Sequence, residues 1–415
     1  MLLRDQTELH RPDQSGKAGQ LLSPERTAIA VLPFINQTGD PAQDYFSYGI
    51  TDDIIAALGR FQDLSVIAHQ AVLQYKDKPV NSGELNRDLG VLYQVDGSVF
   101  REGERIRVLA ELTDALNGVQ LWSQRYDAEL KNVFVVLDEI TRNIAGALAV
   151  KLVRLEKQRA FTKPTENLQA YDHLLRGRAY YDRDTRPDNR EARRLFQKAI
   201  ELDPGYSAAY SALGLAHLKD AVSGWTEFRD DAMRQAKALA LKAMDLDEGN
   251  AEAHALLGQI YFNTSQYDLA ISEDNKALAL NPNDAATYAV RGSYLVYMGR
   301  PKDALADFEV AMRLNPGLGS GRMESVGWAH YLLRRYEDAV RVFESGLRKS
   351  PDDYFIHAGL AASYAELGRF EDATRAATAV MNAWPFFSVD RFKDQFEGAE
   401  YKALVVDGLR KAGLK

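Results

Sequence analysis

The apolar residues follow two different patterns, which divide the chain near residue 160. Before this point, short apolar runs alternate with turn signals rich in Gly, Asn, Asp and Pro, as expected of strands joined by turns. After residue 165, apolar and small residues recur at helical spacing instead. The pattern predicts an α+β N-terminal domain at residues 27–160, followed by an all-α superhelical solenoid at residues 165–386.

The first domain has the pattern of a sheet combined with helices. Apolar or alternating runs predict strands at residues 28–34, 64–68, 93–101, 105–114 and 118–127. Turn signals at residues 102–104 and 117–118 separate the last three strands, which favours an antiparallel meander. Helical spacing predicts helices at residues 46–61, 82–89 and 131–160. Asp52 and Asp53 suit the early turns of the first helix, where its dipole favours negative charge.

A fixed period organises the second part of the chain. Leu-Asp-Pro segments or their counterparts end at residues 204, 248, 282, 316, 351 and 385, at intervals of 44, 34, 34, 35 and 34 residues. Alanine lies twelve positions before each end, and a small residue lies five positions before all but the last, where Val380 stands. Small residues let two helices pack closely, and proline ends the second helix. The period is that of tetratricopeptide repeats, and it predicts six copies.

This repeat class implies a surface for a partner. The concave face of such a solenoid is usually lined by positions 2, 5, 9, 12 and 13 of each first helix. Those positions predict a groove for a protein or peptide, and its candidate residues are Glu252, Gln259, Phe262, Asn263, Ser293, Tyr297, Trp328, Tyr331, Phe355 and Glu366. Aromatic residues beside polar ones suit peptide recognition, because aromatics commonly anchor interfaces. The alternative, that these aromatics simply fill the interior of the superhelix, stays open.

Short motifs in the first domain resemble the TolB-like N-terminal domain. The matching segments are 30–34 (AVLPF), 45–53 (YFSYGITDD), 94–99 (QVDGSV) and 121–127 (LWSQRYD). In many bacteria this domain precedes tetratricopeptide repeats, often downstream of a class III adenylate or guanylate cyclase domain, and it also follows winged-helix DNA-binding domains. The resemblance covers about residues 28–415 and implies a regulatory or sensory module. It does not imply cyclase activity, because the stretch before Ala28 is far shorter than such a catalytic domain.

The two ends of the chain have patterns of their own. Residues 1–26 are polar and contain Pro and Gly, which predicts a disordered tail or linker. Residues 387–415 include a partly apolar helical stretch, which we expect to cap the open end of the stack.

Composition narrows the possible functions. The net charge of −8 and pI of about 5.5 argue against a nucleic-acid partner. The absence of cysteine excludes disulfides and thiolate ligands. No run of about 18 apolar residues and no apolar signal-peptide core occurs. We therefore expect a cytoplasmic protein without a membrane span.

The chain carries no familiar catalytic motif. It has no P-loop, no H-E-x-x-H and no G-x-S-x-G segment, and its seven histidines are scattered. Asp52 and Asp53 are neighbours on a helix and point about 100° apart, so they do not readily share a metal ion. We expect no catalytic, metal or cofactor site, and hence not an enzyme.

These patterns together predict a non-catalytic protein–protein interaction scaffold, or a regulatory or sensory module, in bacterial signalling. Two alternatives stay open: the regulatory portion of an adenylate or guanylate cyclase system that lacks its catalytic domain, and a transcription-regulator fragment that lacks its DNA-binding domain. A further possibility is that the first domain binds a small ligand as a sensor.

Overall fold

The computed structural model describes residues 26–76, 78, 82–148, 165–317 and 322–415. An α+β domain and an all-α solenoid follow one another along the chain, as the apolar pattern predicts. The predicted tail, apart from Arg26, and the predicted continuation of the helix 131–160 beyond Leu148 lie outside the described residues. None of the helices in these ranges has both the length and the apolar character needed to cross a lipid bilayer.

The sheet of the first domain has six strands, some parallel and some antiparallel. They are β1 (Thr27–Val31), β2 (Ile35–Asn36), β3 (Leu64–Val66), β4 (Tyr93–Glu102), β5 (Arg105–Asp114) and β6 (Gln120–Glu129). The order is β3-β1-β4-β5-β6, and β2 pairs with β4 just beyond β1. Strand β1 is parallel to β3 and β4, whereas β4, β5 and β6 form the predicted meander. Gly103, at φ +56°, allows the tight turn between β4 and β5.

Both faces of strand β1 are covered. The helices of this domain are α1 (Asp44–Gly59), α2 (His69–Val72), α3 (Ser82–Leu89) and α4 (Val133–Ala147), with short 3-10 turns at Pro41–Gln43, Leu73–Tyr75 and Leu130–Asn132. Ile29 and Val31 belong to the core under α1 and α4, whereas Ala30 and Leu32 belong to the core with α2 and α3. The alternation follows from the two-residue period of a strand. A parallel strand buried on both faces is expected to be continuously apolar, as this one is.

The solenoid consists of six successive helix pairs. The pairs are α5 (Leu168–Tyr181) with α6 (Arg186–Leu202), α7 (Ser207–Val222) with α8 (Arg229–Leu246), α9 (Ala251–Asn263) with α10 (Tyr267–Leu280), α11 (Ala285–Tyr297) with α12 (Pro301–Leu314), α13 (Met323–Leu332) with α14 (Tyr336–Leu347), and α15 (Tyr354–Glu366) with α16 (Phe370–Ala383). Asn250, Asp284 and Asp353 begin three of the first helices, because each side chain accepts backbone N–H bonds of the first turn.

Small residues let the two helices of a pair approach closely. A Cβ added to Gly177 would lie 2.4 Å from the ring of Phe196, and one added to Gly327 would lie 2.3 Å from Phe343. The rings of the second helices therefore occupy the space that a side chain on the first helix would need. Gly292 meets the ring of Phe308 in the same way in the fourth pair, so this contact explains why these three first helices carry glycine.

The first domain packs directly against the solenoid. Tyr171 and Leu175 of helix α5 belong to the same apolar core as helix α1. The hydroxyl of Tyr171 donates to Asp53 at 2.5 Å, and Arg101 contacts Asp172 at 3.0 Å. The turn that follows α10 also contacts this domain, through Asn283. The last residue of α12 does so too, because the carbonyl of Leu314 accepts the N–H of Ala68 at 2.8 Å.

The position of Asp52 and Asp53 differs from our expectation. Helix α1 begins at Asp44, so both lie in its third turn, too far from the N-terminus to be stabilised by the helix dipole. Asp52 instead forms an ion pair with His69, and Asp53 accepts the hydrogen bond from Tyr171. Burial raises the pKa of Asp53 to about 6. Asp53 therefore serves the contact between the two parts of the chain, whereas Asp52 is paired within the first domain.

The last 30 residues form two helices, α17 (Val389–Phe392) and α18 (Ala399–Lys411), joined in part by a 3-10 turn at Lys393–Gln395. Their contacts are with the first helices of the last three pairs. They lie across the concave side, where the predicted groove residues stand, whereas we expected a cap at the open end of the stack.

Candidate functional site

The concave face begins, at the N-terminal end of the solenoid, beneath the first domain. Glu252 of helix α9 is half-buried there, and its carboxylate lies 3.7 Å from the guanidinium of Arg178. Burial is the main cause that raises the pKa of Glu252, and the charge of Arg178 opposes it. Glu252 thus links the first and third helix pairs and keeps part of its side chain accessible.

The middle of the concave face is partly accessible. Gln259 and Asn263 are half-buried, and the Asn263 side chain donates to the carbonyl of Gln259 at 2.9 Å. The ring of Phe262 stacks on Tyr294, with centroids 3.9 Å apart and planes 14° apart. The centroid of Tyr297 lies 6.3 Å from that of Phe262. An aromatic row thus runs from the third helix pair to the fourth along the predicted groove.

Ser293 does not face an accessible groove. Its side chain is buried, and its hydroxyl donates to the carbonyl of Ala289 one turn earlier, at 3.2 Å. The helix therefore satisfies this hydroxyl internally. Ser293 lies at the expected position along α11, but its hydroxyl has no exposed surface to offer a partner.

The C-terminal segment, residues 387–414, covers the predicted groove residues of the fifth pair. Trp328 and Tyr331 are both 0% exposed. The ring of Trp328 contacts Phe392 and Phe396, at 5.5 and 5.2 Å between centroids, and the hydroxyl of Tyr331 donates to the carbonyl of Leu404 at 3.0 Å. Trp328, a predicted groove residue, is therefore not accessible to a partner, because the segment supplies the apolar surface that encloses it.

The same segment contacts the predicted residues of the sixth pair. The ring of Phe355 lies 5.0 Å from that of Phe392, and the ammonium of Lys411 lies 3.0 Å from the carboxylate of Glu366. Phe355 keeps part of its surface accessible, whereas the Glu366 side chain is only 13% exposed. The sequence carries a signal for this arrangement that we did not use. Apolar residues recur every four positions in the segment, at Phe392 and Phe396 and then at Tyr401, Val405 and Leu409.

An open cleft remains beside the C-terminal segment. Its volume is about 600 Å³, and it lies between the end of helix α11 and the beginnings of helices α13 and α15. Its lining includes two of the predicted groove residues, Tyr297 and Phe355, together with Tyr354 and the acidic side chains of Glu324, Asp352 and Asp353. Burial raises the pKa of Tyr297 and of Glu324. Of the predicted groove, this cleft and the aromatic row next to it are the accessible part.

The described residues offer no evident metal site. No three histidine, aspartate or glutamate side chains in those ranges are grouped so that they could hold a metal ion.

Comparisons with known proteins support the repeat assignment. Residues 251–284 and 326–385 match models of the tetratricopeptide repeat. A Rhizobium meliloti (strain 1021) protein named "Putative adenylate cyclase 3" is 40% identical over 212 residues, which are 51% of this chain and 36% of that protein. The Hsp70-Hsp90 organizing protein of Triticum aestivum is 30% identical over 139 residues, 34% of this chain and 22% of its own length.

A solved structure matches more than half of the chain at low identity. The structure of Pseudomonas aeruginosa PilF is 17% identical and matches 58% of this chain and 98% of its own, with a TM-score of 0.43.

The chain spans about a third or less of the two curated relatives' lengths. It contains tetratricopeptide repeats, and repeats of this class form extended surfaces that bind peptides and proteins.

Proposed function

We propose that this chain is a non-catalytic interaction scaffold that holds a protein partner on the open part of its concave face. The observation that carries the proposal is the cleft of about 600 Å³ at Tyr297 and Phe355, which continues the aromatic row of Phe262 and Tyr294. Partly exposed aromatic rings beside polar groups are the usual anchors of protein interfaces. The partner-binding surface of this proposal runs from Gln259 and Asn263 to Phe355.

The first domain has a regulatory or sensory role in this proposal, as a TolB-like domain in cytoplasmic bacterial signalling. Its support is the set of TolB-like motifs and the extensive contact between this domain and the repeats. Because Tyr171 and Leu175 of the solenoid lie in the domain's own core, a change in that core would reach the first helix pair directly. A ligand of the first domain could alter the shape of the concave face by this route.

A second candidate function is the regulatory portion of a nucleotide cyclase system. The observation in its favour is the Rhizobium meliloti relative, whose name refers to adenylate cyclase. The similarity to this relative extends over 51% of this chain. Under this candidate, the purified chain makes no cyclic nucleotide from ATP or GTP with Mg²⁺ or Mn²⁺, but it changes the rate of a class III cyclase from the same cell. An unchanged cyclase rate at saturating amounts of the chain would reject it.

Site-specific photo-crosslinking in the native cell tests the scaffold function. The photoreactive residue p-benzoylphenylalanine replaces Asn263 or Ser350 on the concave side, and Leu241, a 47% exposed residue of helix α8, in a control. We expect the same protein to be crosslinked from both concave positions and not from Leu241. A protein captured equally from all three positions, or none from the concave pair, would reject the proposed surface.

A further inference from the structure

The cleft at Tyr297 lies beside the C-terminal segment and is not filled by it. The rings of Phe392 and Phe396 lie 5.0 and 5.6 Å from those of Phe355 and Tyr297, measured between centroids, and they are outside the lining of the cleft. The cleft is open to solvent, and its volume of about 600 Å³ admits a long side chain with its neighbouring backbone. The segment encloses Trp328 and Tyr331, so a partner meets the lining of the cleft and the aromatic row beside it.

The charged residues that line the cleft are all negative. Glu324, Asp352 and Asp353 line the cleft, and none of its lining residues is Lys, Arg or His. Within the described ranges, none of the three carboxylates takes part in an ion pair, and the cation that acts on Glu324 is Arg322, through its charge at longer range. Asp353 uses one oxygen to accept the N–H groups of Phe355 and Ile356 at the start of α15.

Several carboxylates elsewhere on the solenoid have cationic partners. On the second helices, Asp303 contacts Arg300 at 2.7 Å, and Asp372 contacts Arg369 at 2.7 Å. These pairs lie three residues apart on one helix and form without any other molecule. The three carboxylates of the cleft lack such neighbours, and burial raises the pKa of Glu324 although the charge of Arg322 opposes the shift. A cation entering the cleft would compensate that charge.

The aromatic walls of the cleft are held in place by other rings. The ring of Tyr354 lies 5.0 Å from that of Phe355 and 4.8 Å from that of Trp384, between centroids. Ring faces attract cations, and a guanidinium, which is planar, both stacks on a ring and bonds carboxylates with its fork of N–H donors. An ammonium group bonds carboxylates less well, because it is compact and strongly hydrated.

We infer that the cleft binds an arginine side chain in a positively charged segment of the protein partner. The inference rests on the proposed function, for which it names the chemistry of the partner. Glu324 and Asp352 contact the guanidinium, and Tyr297, Tyr354 and Phe355 enclose its aliphatic stem and plane. The C-terminal segment supports the site by packing Phe396 and Phe392 against the rings of Tyr297 and Phe355.

Selection from a random peptide library tests this inference even while the partner itself is unidentified. The full chain is offered randomised dodecamer peptides, and the bound fraction is compared with the input. We expect arginine to be enriched among the bound peptides, with apolar residues beside it. The best peptides are then synthesised with citrulline, a neutral isostere, in place of arginine. We expect affinity, measured by fluorescence polarisation, to fall by at least about tenfold, which is the worth of a charge-assisted hydrogen bond.

A matched pair of double variants separates the cleft from the overall charge. Glu324→Gln with Asp352→Asn removes two charges from the cleft, and Glu309→Gln with Glu371→Gln removes two from exposed positions on second helices. We expect the cleft variant to bind the arginine peptides at least about tenfold more weakly, and the control to bind them as the unmodified chain does. Equal losses in both variants, enrichment of lysine instead of arginine, or no basic enrichment would overturn the inference.

The outcome also distinguishes this inference from the scaffold function. A partner crosslinked from Asn263 and Ser350, together with unchanged binding by the cleft variant, would keep the scaffold and reject the arginine site. Peptide binding that depends on Glu324 and Asp352, without any crosslinked partner in the cell, would support the site and reject the proposed partner.

Discussion

The side chain of Asn283 is hydrogen-bonded to the backbone of Val66, 217 residues earlier in the chain. Its Oδ1 accepts the N–H of Val66 at 3.0 Å, and its Nδ2 donates to the carbonyl of Gly59 at 2.8 Å. Asn283 directly follows the proline that ends a repeat, and at the equivalent position three other turns of the solenoid have glycine, namely Gly205, Gly249 and Gly317. This asparagine therefore joins the first domain to the repeats at a position where the repeat itself needs no side chain.

Replacing Asn283 with glycine should loosen this contact and leave the turn intact. Because the buried Val66 N–H would lose its partner, we expect the free energy of unfolding to fall by about 1–3 kcal/mol. The amide of Val66 should exchange its hydrogen faster, as measured by hydrogen exchange. The amide of Ile67, which donates to Ile29 within the sheet at 2.9 Å, is the internal control. Unchanged exchange at Val66 would show that Asn283 does not hold the domain.

Asp274 is a buried carboxylate without a hydrogen-bond partner. It is 1% exposed, and neither of its oxygens is bonded to a residue in the described ranges. The nearby guanidinium of Arg291 bonds instead to Asp307, at 2.7 Å, and to Asn275. Burial raises the pKa of Asp274 well above its usual range, and the negative charges of Asp284, Asp307 and Glu273 act in the same direction.

This raised pKa makes stability fall as the pH rises. Above the unfolded pKa of about 3.9, the unfolded chain releases the proton of Asp274 while the folded chain keeps it, up to the folded pKa. Relative to the Asp274→Asn variant, the free energy of unfolding should therefore fall by up to about 1.4 kcal/mol per pH unit. Urea unfolding between pH 5 and 9 measures it, with Asp268→Asn, an exposed change on the same helix, as the control. Parallel curves for Asp274→Asn and the unmodified chain would contradict it.

Phe396 is buried between the C-terminal segment and the solenoid, whereas Phe386, directly before the segment, is exposed. Phe396 is 0% exposed and contacts Trp328 and Tyr297, whereas Phe386 is 79% exposed. We expect Phe396→Ala to lower the free energy of unfolding by about 3–5 kcal/mol, because it leaves a cavity under the segment. Phe386→Ala should change it by no more than about 0.5 kcal/mol. If both variants unfold at the same urea concentration, the segment is not part of the core.

The period and the turns could be predicted from the sequence because they depend on local chemistry. Residue spacing alone gives the six helix pairs, and Gly103 marks the turn between β4 and β5. Contacts between distant segments could not be predicted in this way. Nothing in the neighbourhood of Asp53 indicates Tyr171 as its partner. Trp328 is predicted to line the groove, and the segment that encloses it lies more than fifty residues later in the chain.

The candidate groove shows the same division. The positions on each first helix follow from the repeat, so Phe262, Tyr297 and Phe355 lie along the concave face as expected. Which of these positions remain accessible depends on the C-terminal segment and on the first domain. The acidic cleft arises from the turn that carries Asp352 and Asp353 and from the beginning of helix α13. These two pieces of chain come together only through the stacking of successive pairs.

Gly408 of helix α18 is required for close contact with the solenoid, whereas Gly146 of helix α4 is not. A Cβ at Gly408 would lie 2.0 Å from the hydroxyl oxygen of Tyr331 and 3.1 Å from Ala362, and one at Gly146 would meet no atom of the described residues within 4 Å. We expect Gly408→Ala to lower the free energy of unfolding by about 1–3 kcal/mol through overpacking. Gly146→Ala should raise it by up to about 1 kcal/mol, because alanine favours the helix.

A second substitution shows whether the Tyr331 hydroxyl is the cause of the loss at Gly408. Tyr331→Phe removes the oxygen that the new methyl group would meet, and it also removes the hydrogen bond to Leu404. If the clash is real, Gly408→Ala should cost less in the Tyr331→Phe background than in the unmodified chain, with a coupling free energy of about 0.5–3 kcal/mol in a double-mutant cycle. Additive effects would mean that helix α18 does not contact Tyr331 in solution, and the concave face would then be open along its last two repeats.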